Sequence, residues 1–162
     1  MLRNRGPKIK AQQWPLQAIK RVVMSKLSSD SQKLMADKMK DNGNRLYGMR
    51  KWKPAIEAYT EAISLCPTVS TYYSNRAMCS RQLEDWARVQ VDCEKALDID
   101  KYNTKAGYLL GLVYSNRLEY KQAIERFEQA VEMSHRQGKP KSFTMEVTQA
   151  LRRTKRTHFE IE

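Results

Sequence analysis

Five positions of the sequence carry similar residues three times in succession, at an interval of 34 residues. The five registers are Gly43, Ala77 and Gly111; Trp52, Trp86 and Tyr120; Ala55, Val89 and Ala123; Tyr59, Cys93 and Phe127; and Ala62, Ala96 and Ala130. A unit of this length cannot bury its apolar face alone, so successive copies must stack to form a core. The period therefore indicates a repeat fold.

Each copy is predicted to be a pair of helices. In the first copy, helix A is expected at 36–49 and helix B at 53–65, with a turn near Arg50 and Lys51 and a stop at Pro67. Helix B has apolar residues at the helical spacing, namely Ala55, Ile56, Tyr59, Ala62 and Ile63. The three predicted repeats are residues 36–67, 70–101 and 104–134.

A further helix is predicted at 140–162, after a short polar loop. Phe143, Val147, Ala150 and Leu151 form its apolar stripe. A repeat array needs such a helix to cover the open face of its last copy. The sequence leaves open whether this capping helix is the start of a longer one.

The two ends of the chain hold most of its net charge of +12. Residues 1–27 contain seven basic residues and no acidic one, whereas residues 28–134 contain 16 basic and 15 acidic residues. A protein that follows a phosphate backbone needs basic residues spread along its binding surface. The nearly neutral body therefore argues against a nucleic-acid partner.

Residues 1–35 fall outside the period and are predicted to be a basic N-terminal extension, partly helical or disordered. A basic helix begun by Trp14 and Pro15 is one reading. Its apolar side would consist of Leu16, Ile19, Val22, Val23 and Leu27. Binding to a membrane surface or targeting to an organelle is an alternative role for this segment. No apolar run approaches the roughly 18 residues of a membrane span.

No catalytic or metal-binding pattern stands out. Cys66, Cys79 and Cys93 lack the CxxC spacing of zinc and redox sites, and we expect them to be core residues in a reducing compartment. His135 and His158 have no cysteine or acidic partner at ligand spacing. The chain is therefore predicted to be a binding module without metal, cofactor or catalytic residues.

Four polar residues of the A helices are the candidate binding site. Lys40 and Asn44 are one helical turn apart in the first copy, Asn75 lies in the second and Lys105 in the third. Their positions step back along the helix from copy to copy, so the side chains are expected to converge. Two ammonium groups and two carboxamides suit a ligand with two carboxylates.

The segments "KDNGN", "YYSNRA" and "TKAGYLLG" resemble the dicarboxylate clamp of co-chaperone tetratricopeptide domains. The resemblance implies an all-α, right-handed superhelical stack of three tetratricopeptide helix pairs plus a C-terminal capping helix. It also implies binding of the Glu-Glu-Val-Asp tail of cytosolic 70-kDa and 90-kDa heat-shock chaperones. Lys40, Asn44, Asn75 and Lys105 would hold the terminal carboxylate and the aspartate side chain.

The clamp's usual fifth member, a lysine or arginine, is replaced here by Leu109. This departure is similar to the subgroup of co-chaperones that are ubiquitin ligases, as are "NRLY", "YYSNRAMC" and "KRTHFEIE". By that resemblance, Tyr108 and Phe143 flank apolar residues of the ligand, and Glu146 stands where the subgroup has aspartate. Ligase activity belongs to a separate U-box, so a link to ubiquitin-conjugating machinery is expected only through a longer form or a partner.

The resemblance implies a cytoplasmic protein, with the nucleus as an alternative location. Two other functions remain open on the sequence. One is a ligase subunit whose catalytic domain lies elsewhere. The other is a generic scaffold whose basic tails bind RNA or an acidic membrane.

Overall fold

The computed structural model describes residues 16–161, which form eight α-helices and no strand. The helices are α1 Leu16–Ser25, α2 Ser29–Gly48, α3 Trp52–Leu65, α4 Ser70–Gln82, α5 Trp86–Ile99, α6 Thr104–Asn116, α7 Tyr120–Arg136 and α8 Lys141–Ile161. The prediction of an all-α fold with three helix pairs and a terminal helix is confirmed.

The helices pack as three consecutive pairs, α2 with α3, α4 with α5, and α6 with α7. We call the first member of each pair an A helix and the second a B helix. Between repeats, α2 contacts α4 and α4 contacts α6, so the A helices lie side by side. Helix α8 packs on α7 and also reaches α6, which completes the stack.

At the contact between the A and B helices of each repeat, the size of the A-helix residue complements the size of the B-helix residue that it faces. A Cβ atom on Gly43 would lie 2.6 Å from the Tyr59 ring, and one on Gly111 would lie 2.5 Å from the Phe127 ring. In the middle repeat the same two positions are Ala77 and Cys93, both fully buried in one cluster. Glycine thus accompanies a large aromatic residue, and alanine accompanies a small thiol.

The turn between A and B helices has the same backbone form in all three repeats. Arg50, Glu84 and Leu118, which are 34 residues apart, have φ angles of 58°, 56° and 65°. In the first turn Lys51 N donates to Leu46 O at 2.9 Å, and the equivalent bond recurs in the other two. These are the hydrogen bonds of a Schellman motif. The turn predicted near Arg50 and Lys51 is therefore present, although none of the three left-handed residues is glycine.

Helix α2 is longer than the predicted helix A at 36–49. It begins at Ser29, where the Ser28 hydroxyl caps it by accepting a hydrogen bond from Ser31 N. Ahead of it, the apolar side chains of α1 are between 47% and 74% exposed, namely Leu16, Ile19, Val22 and Val23. The expected helix start at Trp14 and Pro15 lies outside the described residues, and the membrane role of this segment remains a prediction.

Candidate functional site

The polar residues predicted as a site come from three successive A helices. Lys40 and Asn44 lie on α2, Asn75 on α4 and Lys105 on α6. Lys105 Nζ donates to Asn75 Oδ1 at 2.8 Å, and Asn75 Nδ2 donates to Asn44 Oδ1 at 3.3 Å. The structure therefore joins three of the four in one hydrogen-bonded row, which we call the donor row.

The B helix of the first repeat supports the donor row. Tyr59 OH donates to Asn44 Oδ1 at 2.7 Å, so this oxygen accepts bonds from both Tyr59 and Asn75. The Asn75 oxygen is engaged by Lys105. Asn75 Nδ2 and Lys105 Nζ each donate one bond within the row, and the further N–H bonds of these groups are what the row can offer a ligand. Such a surface suits an anion.

Lys105 is the one cation of the donor row. It is half-buried, and no carboxylate of residues 16–161 forms an ion pair with it. Burial lowers the pKa of its ammonium, and the nearby charge of Lys139 lowers that pKa further. A partly desolvated cation without a counter-charge is costly for the free protein. An anionic ligand would remove that cost.

The start of α6 is held by a buried polar cluster, which sets the position of Lys105. Asn103 caps the helix, its Oδ1 accepting from Ala106 N at 3.0 Å. The same side chain donates to Ser70 Oγ at 2.7 Å and Ser74 Oγ at 3.3 Å on α4. Lys105 therefore projects from a backbone that is tied directly to the neighbouring repeat.

Lys40 stands apart from the donor row. Its Nζ lies 3.1 Å from Asp41 Oδ1 and 4.0 Å from Asp37 Oδ1, both on its own helix. Asp37 also accepts hydrogen bonds from Lys33 Nζ and Tyr72 OH, and these bonds lower the pKa of its carboxyl group. The Lys40 ammonium is thus paired internally, and a ligand carboxylate would have to compete with these acids.

A second group of predicted residues lies where α8 meets α6. The rings of Tyr108 and Phe143 meet edge to face, with centroids 5.8 Å apart. Tyr108 OH donates to Glu146 Oε1 at 2.8 Å, and Arg81 Nη1 lies 3.6 Å from the same oxygen. The structure therefore brings Tyr108, Phe143 and Glu146 together and adds Arg81, which the sequence did not single out.

Leu109 is not brought to this surface. Its side chain is 0% exposed and packs in the core with Ala77 and Val113. An apolar residue here fills the space between repeats, so in this structure Leu109 has no open side for a ligand. The sequence pattern alone could not distinguish this burial from a lining position.

Of the three cysteines, Cys79 and Cys93 are buried and Cys66 is half-buried. Cys66, Cys79 and Cys93 are unpaired, and burial raises the pKa of the Cys79 thiol to about 12. Within residues 16–161 no three His, Cys, Asp or Glu side chains cluster closely enough to hold a metal ion. Across the same range, no helix is both long enough and apolar enough to pass through a bilayer.

Comparison with known proteins relates this geometry to a family. No protein-family model matches the sequence. The solved tetratricopeptide-repeat (TPR) domain of Arabidopsis OM64 superposes with a TM-score of 0.68 at 32% identity, covering 77% of this chain and 98% of that domain. The chain belongs to the TPR family. The 34-residue period is thus the TPR repeat, and the donor row lies on its A helices.

Two further TPR proteins are informative. The E3 ubiquitin-protein ligase CHIP of Arabidopsis thaliana is 32% identical over 127 residues, which are 78% of this chain but only 46% of CHIP. The chain therefore spans less than half the length of CHIP. The second TPR domain of Spaghetti (RPAP3), solved with the HSP90 peptide SRMEEVD, is 25% identical with a TM-score of 0.62, covering 65% of this chain and 96% of that domain.

Proposed function

We propose that this TPR domain is a cytoplasmic co-chaperone adaptor that binds the acidic C-terminal tail of 70-kDa or 90-kDa heat-shock chaperones. The observation that carries the proposal is the donor row. Asn44, Asn75 and Lys105 are joined by hydrogen bonds in which both carboxamide oxygens accept, and the row ends at the Lys105 ammonium group. A peptide end with a terminal carboxylate and an aspartate side chain supplies the matching acceptors.

In this proposal the residues have separable roles. Lys105 neutralises one ligand carboxylate and is itself stabilised, because the ligand provides the counter-charge that the free protein lacks. Asn44 and Asn75 orient that carboxylate through directional amide bonds. Lys40, one helical turn from Asn44, exchanges its contact with Asp41 for the second ligand carboxylate.

Similarity to CHIP and to a TPR domain solved with an HSP90 peptide supports this ligand class. The likeness to CHIP also motivates a link to ubiquitin-dependent protein quality control. In this proposal ubiquitin transfer depends on a longer form or a partner.

Calorimetric titration of a peptide ending in Glu-Glu-Val-Asp tests the proposal. We expect a Kd of roughly micromolar order, and a large loss of affinity when the peptide's terminal carboxylate is amidated. Lys105→Ala should cost about 2–5 kcal/mol of binding free energy if the pair is desolvated, and Lys40→Ala less. Lys95→Ala, at an exposed site on α5, is the matched control. Equal binding by all four proteins would refute the proposal.

The alternative of a scaffold for RNA or acidic membranes makes a different prediction. Residues 1–27 contain seven basic residues and no acid, and α1 exposes apolar side chains. Binding carried by that segment would weaken steeply with salt and survive both Lys105→Ala and peptide amidation. RNA and anionic vesicles titrated at two salt concentrations would reveal it.

A further inference from the structure

The turn between α7 and α8 holds a lysine in a defined place. Gly138 has a φ of +59°, its N donates to His135 O at 3.2 Å, and Lys139 N donates to Ser134 O at 3.0 Å. This pair of bonds around a left-handed glycine is a Schellman motif. Pro140 follows and restricts the backbone again. The backbone of Lys139 is therefore held by the hydrogen bonds of the turn, although its side chain is exposed.

The same turn is attached to the start of α6. Gln137 Nε2 donates to Tyr102 O at 2.7 Å, and Gln137 Oε1 accepts from Thr104 Oγ1 at 2.8 Å. Thr104 directly precedes Lys105. The two bonds thus bring the end of the third repeat beside the Lys105 end of the donor row.

An open cavity of about 370 Å³ lies between these segments. Lys105, Lys139 and Phe143 line it together with Asp100, whose Oδ1 accepts from Tyr102 N at 2.9 Å. Neither ammonium group forms an ion pair with Asp100 or with any other carboxylate of the described chain. The two cations that line this cavity repel each other, and Lys139 accordingly adds to the effect of burial in lowering the pKa of Lys105.

We propose that Lys139 is a further binding residue and that this cavity receives a glutamate side chain of the acidic tail. The lysine or arginine expected on α6 is replaced by the buried Leu109, and Lys139 supplies a cation from the α7–α8 turn instead. The inference rests on the proposed function, because the glutamate belongs to a peptide whose terminal carboxylate is already held at Lys105. It assigns two carboxylates of one ligand to two neighbouring lysines.

The test pairs Lys139→Ala with peptides in which each glutamate of the Glu-Glu-Val-Asp tail is changed to glutamine in turn. Lys139→Ala should weaken binding of the unmodified peptide by roughly three- to tenfold, as expected for a partly screened ion pair. For wild type, one of the two glutamine peptides should bind more weakly than the unmodified peptide by a similar factor. For Lys139→Ala, the affinities of that glutamine peptide and the unmodified peptide should differ by less than about twofold. Lys141→Ala is the matched control, since Lys141 is exposed two residues later and does not line the proposed cavity, although both lysines line a second cavity next to His135 and Arg152.

The outcomes separate this inference from the proposed function. If wild type binds and Lys139→Ala binds equally well, Lys139 has no such role, while the donor row remains the site. The same conclusion follows if Lys141→Ala loses as much affinity as Lys139→Ala. It also follows if each glutamine peptide loses the same factor in affinity with Lys139→Ala as with wild type. If wild type does not bind the peptide, the proposed function fails and this inference fails with it.

Discussion

Gly43 and Tyr59 are in such close contact that a Cβ atom on Gly43 would lie 2.6 Å from Cε1 of the tyrosine ring. The hydroxyl group of the same tyrosine donates to Asn44, the residue after Gly43. Packing of the first repeat and orientation of a site residue thus depend on one ring. A change at Gly43 is therefore expected to alter both stability and binding.

We predict that Gly43→Ala lowers the free energy of unfolding. Overpacking a core costs about 1–3 kcal/mol, which opposes a gain in helix propensity of roughly 0.5–1 kcal/mol. Gly107→Ala is the matched control, because a Cβ atom there would have no neighbour within 4 Å and only the propensity gain applies. Urea unfolding followed by circular dichroism measures both. A Gly43→Ala protein as stable as Gly107→Ala would contradict the close approach.

A second prediction concerns the ion pair of Arg76 and Asp92. Arg76 Nε and Nη2 donate to the two Asp92 carboxylate oxygens at 2.9 and 2.7 Å, and Asp92 is 1% exposed. Arg76→Met leaves a buried, unpaired carboxylate and should destabilise the fold by about 3–5 kcal/mol. Adding Asp92→Leu should restore much of that loss. Unfolding of Arg76→Met, Asp92→Leu and the double variant in denaturant completes the cycle, and additive losses would argue against direct pairing.

A third prediction uses the unpaired charge of Lys105. Its pKa is lower in the folded protein than the usual 10.5, so between these two values the unfolded chain binds more protons. The free energy of unfolding therefore rises with pH in that window, and below it the cost of burying the charge is present in full. Lys105→Met should be more stable than wild type near neutral pH, and the difference should shrink as the pH approaches 10.5.

Urea unfolding at several pH values from about 7 to about 10 tests this sign. Lys95→Met serves as the control, since Lys95 is exposed and its replacement should shift stability by the same small amount throughout. A difference between Lys105→Met and wild type that does not change with pH would mean that Lys105 is hydrated in the free protein. The same variant should bind the tail peptide poorly, so higher stability would accompany lost function.

The fourth prediction distinguishes the three thiols. Burial raises the pKa of Cys79 to about 12 and raises that of Cys93 as well, whereas Cys66 is only half-buried. Because the thiolate is the reactive form, a chromogenic disulfide reagent should label one thiol quickly in the folded protein and the other two only on unfolding. Cys66→Ser should abolish the fast phase. Three equally fast thiols would show that the core opens readily.

Much of the fold is predictable because equivalent positions in the three repeats carry similar residues and make similar contacts. Gly43 pairs with Tyr59 and Gly111 with Phe127 at the same separation along the chain. Each repeat makes the same short-range contacts, so the helix pair predicted for one repeat is supported by the other two. The left-handed turn residues at Arg50, Glu84 and Leu118 were not predictable, since none is the glycine or asparagine that usually marks this conformation.

The site was only partly predictable. Asn44, Asn75 and Lys105 could be grouped from their positions in successive repeats, and the structure joins them. Leu109 could not be placed, because an apolar residue on an A helix suits the core and the inner face equally. Arg81 was missed since its partner Glu146 lies 65 positions later, on a helix outside the repeat period.

The sequence by itself determined the repeat and the set of polar groups on the A helices. These features depend on contacts within one copy or between equivalent positions of adjacent copies. Only the tertiary structure decided which oxygens of the site are already occupied and where Lys139 lies. Both depend on bonds between residues far apart in the chain, such as Gln137 with Tyr102 and Thr104. Such bonds exist only once the repeats have stacked and the last turn has docked, because no local propensity encodes them.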